Sequence, residues 1–77
     1  MNKERRNRLS DVSNMIGDVI DELECIMEEE QEAFDNLPES LQSSSKGDKM
    51  QDYIDNMQLI MDELASCQTE VDDLIAE

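Results

Sequence analysis

The chain lacks several residue types on which small proteins commonly rely for stability or chemistry. Its 77 residues include no His, no Trp, one Tyr, one Phe, one Pro and only two Cys. Without His the common zinc sites cannot form, and two Cys are too few for a disulfide framework. For a chain this short we therefore expect an aliphatic core made by helix packing, with self-association as a further source of stability.

Long hydrophobic runs and catalytic groupings are also missing. No apolar run exceeds three residues, as at 59–61, so the sequence predicts neither a signal peptide nor a membrane span. No nucleophile–base pair, glycine-rich phosphate loop or cofactor motif is present. We therefore expect a cytoplasmic protein of a bacterial host cell that is not an enzyme, holds no cofactor or metal, and has no membrane partner.

Positive charge is scarce and unevenly placed. The net charge is −15, from 21 acidic and six basic residues. Residues 1–8 contain four cations and one acid, whereas residues 9–77 contain two cations and twenty acids. An acidic body of this kind repels nucleic acid and anionic membranes. Direct nucleic-acid binding by the basic N-terminal segment is therefore expected to be weak.

Apolar residues recur three and four positions apart in two segments, which indicates amphipathic helices. The first stripe is Leu9, Val12, Ile16, Val19, Leu23 and Ile26, widened by Ile20, Met27 and Phe34. The second is Met50, Tyr53, Met57, Ile60, Leu64, Cys67, Val71 and Leu74, widened by Ile54, Met61 and Ile75. The predicted domain is one helical hairpin over 9–77, with helices at about 9–35 and 46–76, a turn at 36–45 and a basic segment, 1–8, that is open to fraying. The start of the first helix stays open between about Glu4 and Ser10.

The fold class that follows is all-α. Two stripes of equal length joined by a short turn favour an antiparallel, coiled-coil-like hairpin, which places Leu9 near Ile75 and Leu23 near Met61. Each apolar face is wider than a two-stranded seam buries. We expect a homo-oligomer, first a dimer forming a four-helix bundle; the alternative is a monomer whose flank binds a different protein. The predicted interface comprises Val12, Ile16, Ile20, Leu23, Met27, Phe34, Ile54, Met57, Met61, Leu64 and Ile75.

Signals for helix ends lie in the turn. Pro38 predicts that the first helix stops near residue 35 or 36, and residues 38–42 are compatible with a single helical turn. Ser45 followed by Asp48 resembles a capping box. Gly17, in the middle of the first helix, marks either a close approach by another backbone or a tolerated weak point.

Three further residues are placed by this register. Cys67 falls on the second stripe as a small hydrophobic residue, whereas Cys25 is expected to be exposed. Their offset of roughly 12 Å along the hairpin excludes an intrachain disulfide. Glu30 falls on the core register within an acidic run, where it sets the helix register or contacts Tyr53 or Lys49.

Residues 28–50 read EEEQEAFDNLPESLQSSSKGDKM. This segment resembles a pattern in small uncharacterised proteins of phages and mobile elements from Gram-positive bacteria. The matching residues are Glu32-Ala33-Phe34, Asn36-Leu37-Pro38-Glu39, Leu41-Gln42, Gly47-Asp48 and Met50. Where family members often have Ser-Glu-Arg-Gly, this chain has Ser44-Ser45-Lys46-Gly47. The resemblance implies an acidic helical hairpin of phage or prophage type, but no activity and no partner.

Three functions remain open from the sequence. The first is a non-enzymatic interaction module that dimerises and binds or modulates a host or phage protein. The second is an acidic DNA or RNA mimic that inhibits a nucleic-acid-binding host enzyme, such as a defence nuclease of the CRISPR type. The third is nucleic-acid binding by Lys3, Arg5, Arg6 and Arg8. The candidate mimic face comprises Glu24, Glu28, Glu29, Glu32, Asp52, Asp55, Asp62 and Glu63.

Overall fold

A computed structural model describes all 77 residues and contains three helices and no strand. These are α1 (Lys3–Asp35), α2 (Glu39–Gln42) and α3 (Ser45–Ala76). The molecule is a rod with extents of 59 × 14 × 12 Å. Helices α1 and α3 lie side by side and antiparallel, since Ser13 near the start of α1 contacts Asp72 near the end of α3. The prediction of an all-helical fold is confirmed.

Helix α1 begins at Lys3 rather than near residue 9, so the basic segment is helical and not frayed. The reason is the cap: the side-chain Oδ1 of Asn2 accepts a 2.9 Å hydrogen bond from the backbone N–H of Arg5. Glu4 in the first turn also favours the positive end of the helix dipole. The end of α1 at Asp35 agrees with the stop expected before Pro38.

Gln42 closes the turn at the carboxyl end of α1. Its side-chain Nε2 donates to the backbone oxygens of Phe34 and Leu37, both at 3.2 Å. The last carbonyls of a helix have no partner inside the helix and need one from elsewhere. One amide group therefore satisfies carbonyls on both sides of the chain reversal, and α2 is the short turn that brings it into place.

The start of α3 differs from the predicted capping box. The residue before the helix is Ser44, and neither it nor Ser45 makes a side-chain cap; the Ser44 Oγ instead donates to the backbone oxygen of Leu41. Gly47 is the residue that this turn requires. A Cβ there would lie 2.6 Å from the carbonyl carbon of Gln42 and 2.8 Å from the Leu41 oxygen, closer than the 3.0 Å limit of real contacts. Only glycine lets α2 pack on the first turn of α3.

Little of the chain is buried. Only Ser13, Gly47, Met50 and Ile54 are buried, and no large side chain is fully enclosed. The accessible surface is 5649 Å², whereas a compact monomer of 8.9 kDa exposes about 4800 Å². One hairpin thus leaves apolar surface open, as the width of its stripes predicts.

Buried and half-buried positions alternate three and four apart and define the seam between the helices. On α1 these are Leu9, Ser13, Ile16, Ile20, Leu23, Met27, Glu30 and Phe34; on α3 they are Met50, Ile54, Met57, Met61, Leu64, Gln68, Val71 and Ile75. This corrects the predicted register. Val12, Val19 and Ile26 of the first stripe lie outside the seam, 38%, 50% and 42% exposed. Ser13, Glu30 and Gln68 interrupt the inward columns with polar groups, whereas the outward columns are apolar throughout.

Candidate interaction surface

An exposed apolar column runs along each long helix beside the seam. Its members recur every seven residues, and each directly precedes an inward residue in sequence. We call the two columns together the apolar face: Val12, Val19, Ile26 and Ala33 on α1, and Tyr53, Ile60, Cys67 and Leu74 on α3, all exposed.

The two columns lie on the same side of the rod. In an antiparallel helix pair, the two helices are related by an approximate two-fold axis perpendicular to the plane that contains both of them. Residues at the same position of the seven-residue repeat therefore lie on the same side of that plane in both helices. Contacts on the opposite side support this arrangement. Gly17 and Asp72 each follow an inward residue by four positions, and they contact the inward residues Gln68 and Ser13, respectively, of the facing helix. The two columns of the apolar face, whose members directly precede inward residues, therefore lie together on the side of the rod away from these contacts.

None of the 21 acidic residues falls on the apolar face. Seven residues before Val12 the α1 column continues as Arg5, and seven residues before Tyr53 the α3 column continues as Lys46. An open groove of about 570 Å³ at one end of the rod is lined by Arg5, Arg8 and Val12, among others. A second, of about 530 Å³ at the turn end, is lined by residues that include Lys46, Lys49, Tyr53 and Glu30. Each end of the apolar face thus carries two cations.

The opposite side of the rod is acidic. Asp21, Glu28 and Asp35 on α1, and Asp48, Asp55 and Asp62 on α3, each directly follow an inward residue and form two columns. We call this the acidic face. Successive acids in a column are seven residues, or about 10.5 Å, apart. All eight residues of the candidate mimic face are exposed, but they do not share one side: Glu28 and Asp55 lie on the acidic face, whereas Glu29 and Glu63 border the apolar face.

The predicted interface residues are mostly used within the chain. Ten of the eleven lie in the seam: Ile16, Ile20, Leu23, Met27, Phe34, Ile54, Met57, Met61, Leu64 and Ile75. Only Val12 lies on the apolar face. Most of the apolar face, including Val19, Tyr53 and Ile60, is therefore absent from the predicted interface. The signal that marks these residues is the seven-residue repeat of apolar positions with no acid among them.

A polar cluster interrupts the seam near the open end of the rod. Ser13 is 7% exposed, and its Oγ donates to Oδ1 of Asp72 at 2.6 Å. The Nε2 of Gln68 donates to the Ser13 backbone oxygen at 2.9 Å. A Cβ at Gly17 would lie 3.1 Å from this same nitrogen. Gly17 therefore accommodates a side chain of the other helix, not its backbone.

Both cysteines are free and exposed. Cys67 does not occupy a core position as predicted, because the inward residue at that level is its neighbour Gln68. Cys25 is exposed as expected. Desolvation by neighbouring atoms, and then the negative charges of Glu22, Glu28, Glu29 and Glu24, raise the pKa of the Cys25 thiol. The thiolate of Cys25 is therefore disfavoured near neutral pH.

The basic segment does not form a single cationic patch. Arg5 and Arg8 line a groove with Met1 and Val12, whereas Arg6 is half-buried with its Nε atom enclosed and without a hydrogen-bond partner. Phosphate contacts require accessible guanidinium groups, and their number sets the binding strength. The surface therefore offers little support for nucleic-acid binding by this segment.

No group of three or more His, Cys, Asp or Glu side chains is arranged to hold a metal ion. Neither long helix combines the length and hydropathy needed to cross a bilayer. Comparisons with protein-family models, with curated proteins and with solved structures find no match to this chain. The functional proposals therefore rest on the apolar face and the acidic face.

Proposed function

We propose that this protein is a non-enzymatic interaction module that acts in the bacterial cytoplasm, dimerises, and binds or modulates a host or phage protein. The apolar face is the proposed binding surface. Support for a phage or prophage setting is the turn motif at residues 28–50 alone. The observation that carries the proposal is an exposed apolar face free of acids, on a chain of which 21 residues are acidic.

The exclusion of acids from the two columns of the apolar face is what an interface would require. Depletion of charge and the presence of aliphatic and aromatic residues distinguish the centres of protein interfaces from other surface. Tyr53 and Ile60 are 53% and 45% exposed. Full burial of a side chain such as Ile contributes roughly 1.5–3 kcal/mol. A column of such residues left in water is surface that a protein partner would cover.

Affinity capture from the native host tests the proposal with a matched pair of variants. Ile60→Glu places a charge on the apolar face, whereas Leu59→Glu places the same charge at the neighbouring position, which is 59% exposed and lies outside that face. We expect the wild type and Leu59→Glu to retain the same protein and Ile60→Glu to lose it. Equal retention by both variants would refute the apolar face as the binding surface.

The acidic face supports a second candidate function, mimicry of nucleic acid. Two carboxylate columns, each of three regularly spaced acids over about 21 Å, lie on one side of the 59 Å rod, in its turn half. Their spacing of about 10.5 Å is wider than that of duplex DNA, which carries one charge per ~1.7 Å. The acidic face therefore matches phosphates less well than the apolar face matches a protein interface.

Mimicry makes a separate prediction for capture. The variant Glu28→Gln/Asp55→Asn/Asp62→Asn removes three charges from the acidic face and leaves the apolar face intact. If the protein is a mimic, this variant loses a captured nucleic-acid-binding protein, and added DNA displaces that protein from the wild type. If the variant retains the captured protein as well as the wild type does, mimicry is excluded.

A further inference from the structure

We propose that the apolar face binds a second copy of this chain, face to face, with α1 of each copy lying over α3 of the other. The two-fold axis of this dimer runs parallel to the rod. The inference rests on the proposed function, because it assigns the apolar face to the dimer contact; a host or phage protein would then bind the assembled dimer outside this face. The area of the rod's side and the sizes of the facing side chains support it, and the order of charges along the edges favours one orientation of the helices.

The exposed area matches what a stable dimer needs. The side of the rod that carries the apolar face is 59 Å long and 14 Å wide, a footprint of roughly 800 Å², and standard protein interfaces bury about 800 Å² per partner. The apolar face itself occupies about 32 Å of that length. The accessible surface of 5649 Å² also exceeds that expected for a compact monomer of this mass by roughly 800 Å². One further copy is enough to cover the excess.

Side-chain size favours α1 over α3 and not α1 over α1. The side chains of the α1 column are smaller on average than those of the α3 column, where Tyr53, Ile60 and Leu74 are large. A two-fold axis parallel to the rod preserves the level of each residue along it. Leu74 and Tyr53 of one copy then face the smaller Val12 and Ala33 of the other. The two middle levels pair side chains closer in size, Val19 with Cys67 and Ile26 with Ile60.

Charges along the outer edges of the apolar face also fit this order. The edge of α1 starts with Arg8 and continues to Glu22 and Glu29; the edge of α3 starts with Lys49 and continues to Glu63 and Glu70. Each edge is thus cationic near the start of its helix and anionic farther along. With α1 antiparallel to α3 of the other copy, Arg8 and Lys49 lie toward Glu70 and Glu29 of that copy, each about 10.5 Å away along the rod, whereas Glu22 and Glu63 lie at the same level and repel each other. Charge complementarity of this kind fixes orientation more than it adds affinity.

Multi-angle light scattering on the full chain tests the occupant. We expect the wild type and Leu59→Glu at tens of micromolar to have twice the chain mass of 8.9 kDa, and Ile60→Glu to have the mass of one chain. Circular dichroism on each sample checks that helix content is retained. A folded wild type that remains a monomer at 100 µM or above, or an Ile60→Glu variant that dimerises as well as Leu59→Glu, would overturn the inference.

Disulfide trapping tests the order of the helices. In a Cys25→Ser background, Val19→Cys is expected to form a covalent dimer with the native Cys67 of the other copy on a non-reducing gel. Ile60→Cys in the same background is expected to give none, because α3 of one copy lies diagonally from α3 of the other. The reverse result, or no covalent dimer with either variant, would refute the proposed order.

These outcomes separate this inference from the proposed function. A wild type that is monomeric yet captures a host protein through the Ile60 side would refute the dimer and leave the interaction module standing. A wild-type dimer of the proposed order that captures nothing would refute the interaction module and leave the dimer standing.

Discussion

Ser13 of α1 and Asp72 of α3 are joined by a 2.6 Å hydrogen bond from the serine Oγ to the aspartate Oδ1. Ser13 is 7% exposed, in a seam that is otherwise mainly aliphatic. Gln68 bonds the backbone oxygen of the same serine at 2.9 Å. A buried polar group in an apolar seam specifies register, because sliding the helices leaves it unpaired. This pair therefore aligns the two helices.

The Ser13–Asp72 bond predicts a non-additive pair of mutations. Ser13→Ala is expected to lower the free energy of unfolding by about 1 kcal/mol, the usual net value of one hydrogen bond. Asp72→Ala should cost a similar amount. The double variant should cost about as much as either single one, since both remove the same bond. Urea denaturation of the four proteins measures this, and simple addition of the two losses would contradict the interaction.

The two glycines should respond in opposite ways to alanine. Gly47→Ala is expected to destabilise the protein by about 2 kcal/mol, because the added methyl group meets the backbone of Leu41 and Gln42. Gly17→Ala meets only the flexible end of Gln68 at 3.1 Å, and the gain in helix propensity is about 1 kcal/mol. It should be neutral or stabilising. Thermal unfolding monitored by circular dichroism compares the two, and equal losses would show that the turn does not require Gly47.

Cys25 should be slow to alkylate. Desolvation and the charges of Glu22, Glu28, Glu29 and Glu24 raise its pKa, so at any pH below that value a smaller fraction is thiolate than for an ordinary exposed cysteine. Thiolate is the reactive form. In a Cys67→Ser variant, the midpoint of the iodoacetamide rate against pH should lie higher for the folded protein than in urea. Glu29→Gln should lower the folded midpoint; an unchanged midpoint would exclude the charge contribution of Glu29.

The proposed dimer brings two acidic residues together, and this predicts a stabilising mutation. Glu22 and Glu63 lie at nearly the same level on the edges of the apolar face, so each faces its counterpart in the other copy. Glu63→Gln should tighten the dimer about two- to five-fold, the range expected for a surface charge pair. Asp62→Asn, its neighbour on the acidic face, removes the same charge away from the interface. Sedimentation equilibrium distinguishes them; no difference between the two variants would contradict the edge arrangement.

The helix ends were largely predictable because they follow from local chemistry. Pro38 excludes continuation of α1, and the helix does end at Asp35. The start of α1 is open in the sequence between about Glu4 and Ser10, and the Asn2 side chain, which caps the basic segment, selects the earlier start. The start of α3 was placed within one residue, yet its capping box was wrong. There, the decisive residue is Gly47, whose role depends on a contact with α2 that no sequence pattern displays.

The rotation of each helix about its axis was harder to predict. The outward columns are uniformly apolar, whereas the inward columns contain Ser13, Glu30 and Gln68. Periodicity alone ranks the uniform column as core, and this misplaced Val19 and Cys67. Ser13 and Gln68 can be recognised as inward residues only once the facing helix is in place. A buried polar group needs a hydrogen-bond partner, and here the partner comes from the other helix.

In the proposed dimer, the acidic face, which lies opposite the apolar face, would determine how many partners the assembly can bind. Two hairpins sealed along their apolar faces would direct two identical carboxylate arrays outward, to opposite sides of the bundle. A cationic protein could then bind at two equivalent sites on one dimer. An oligomeric partner that engages both sites would bind with a higher overall affinity than either site provides alone. Dimerisation would thus convert a short monovalent rod into a bivalent connector.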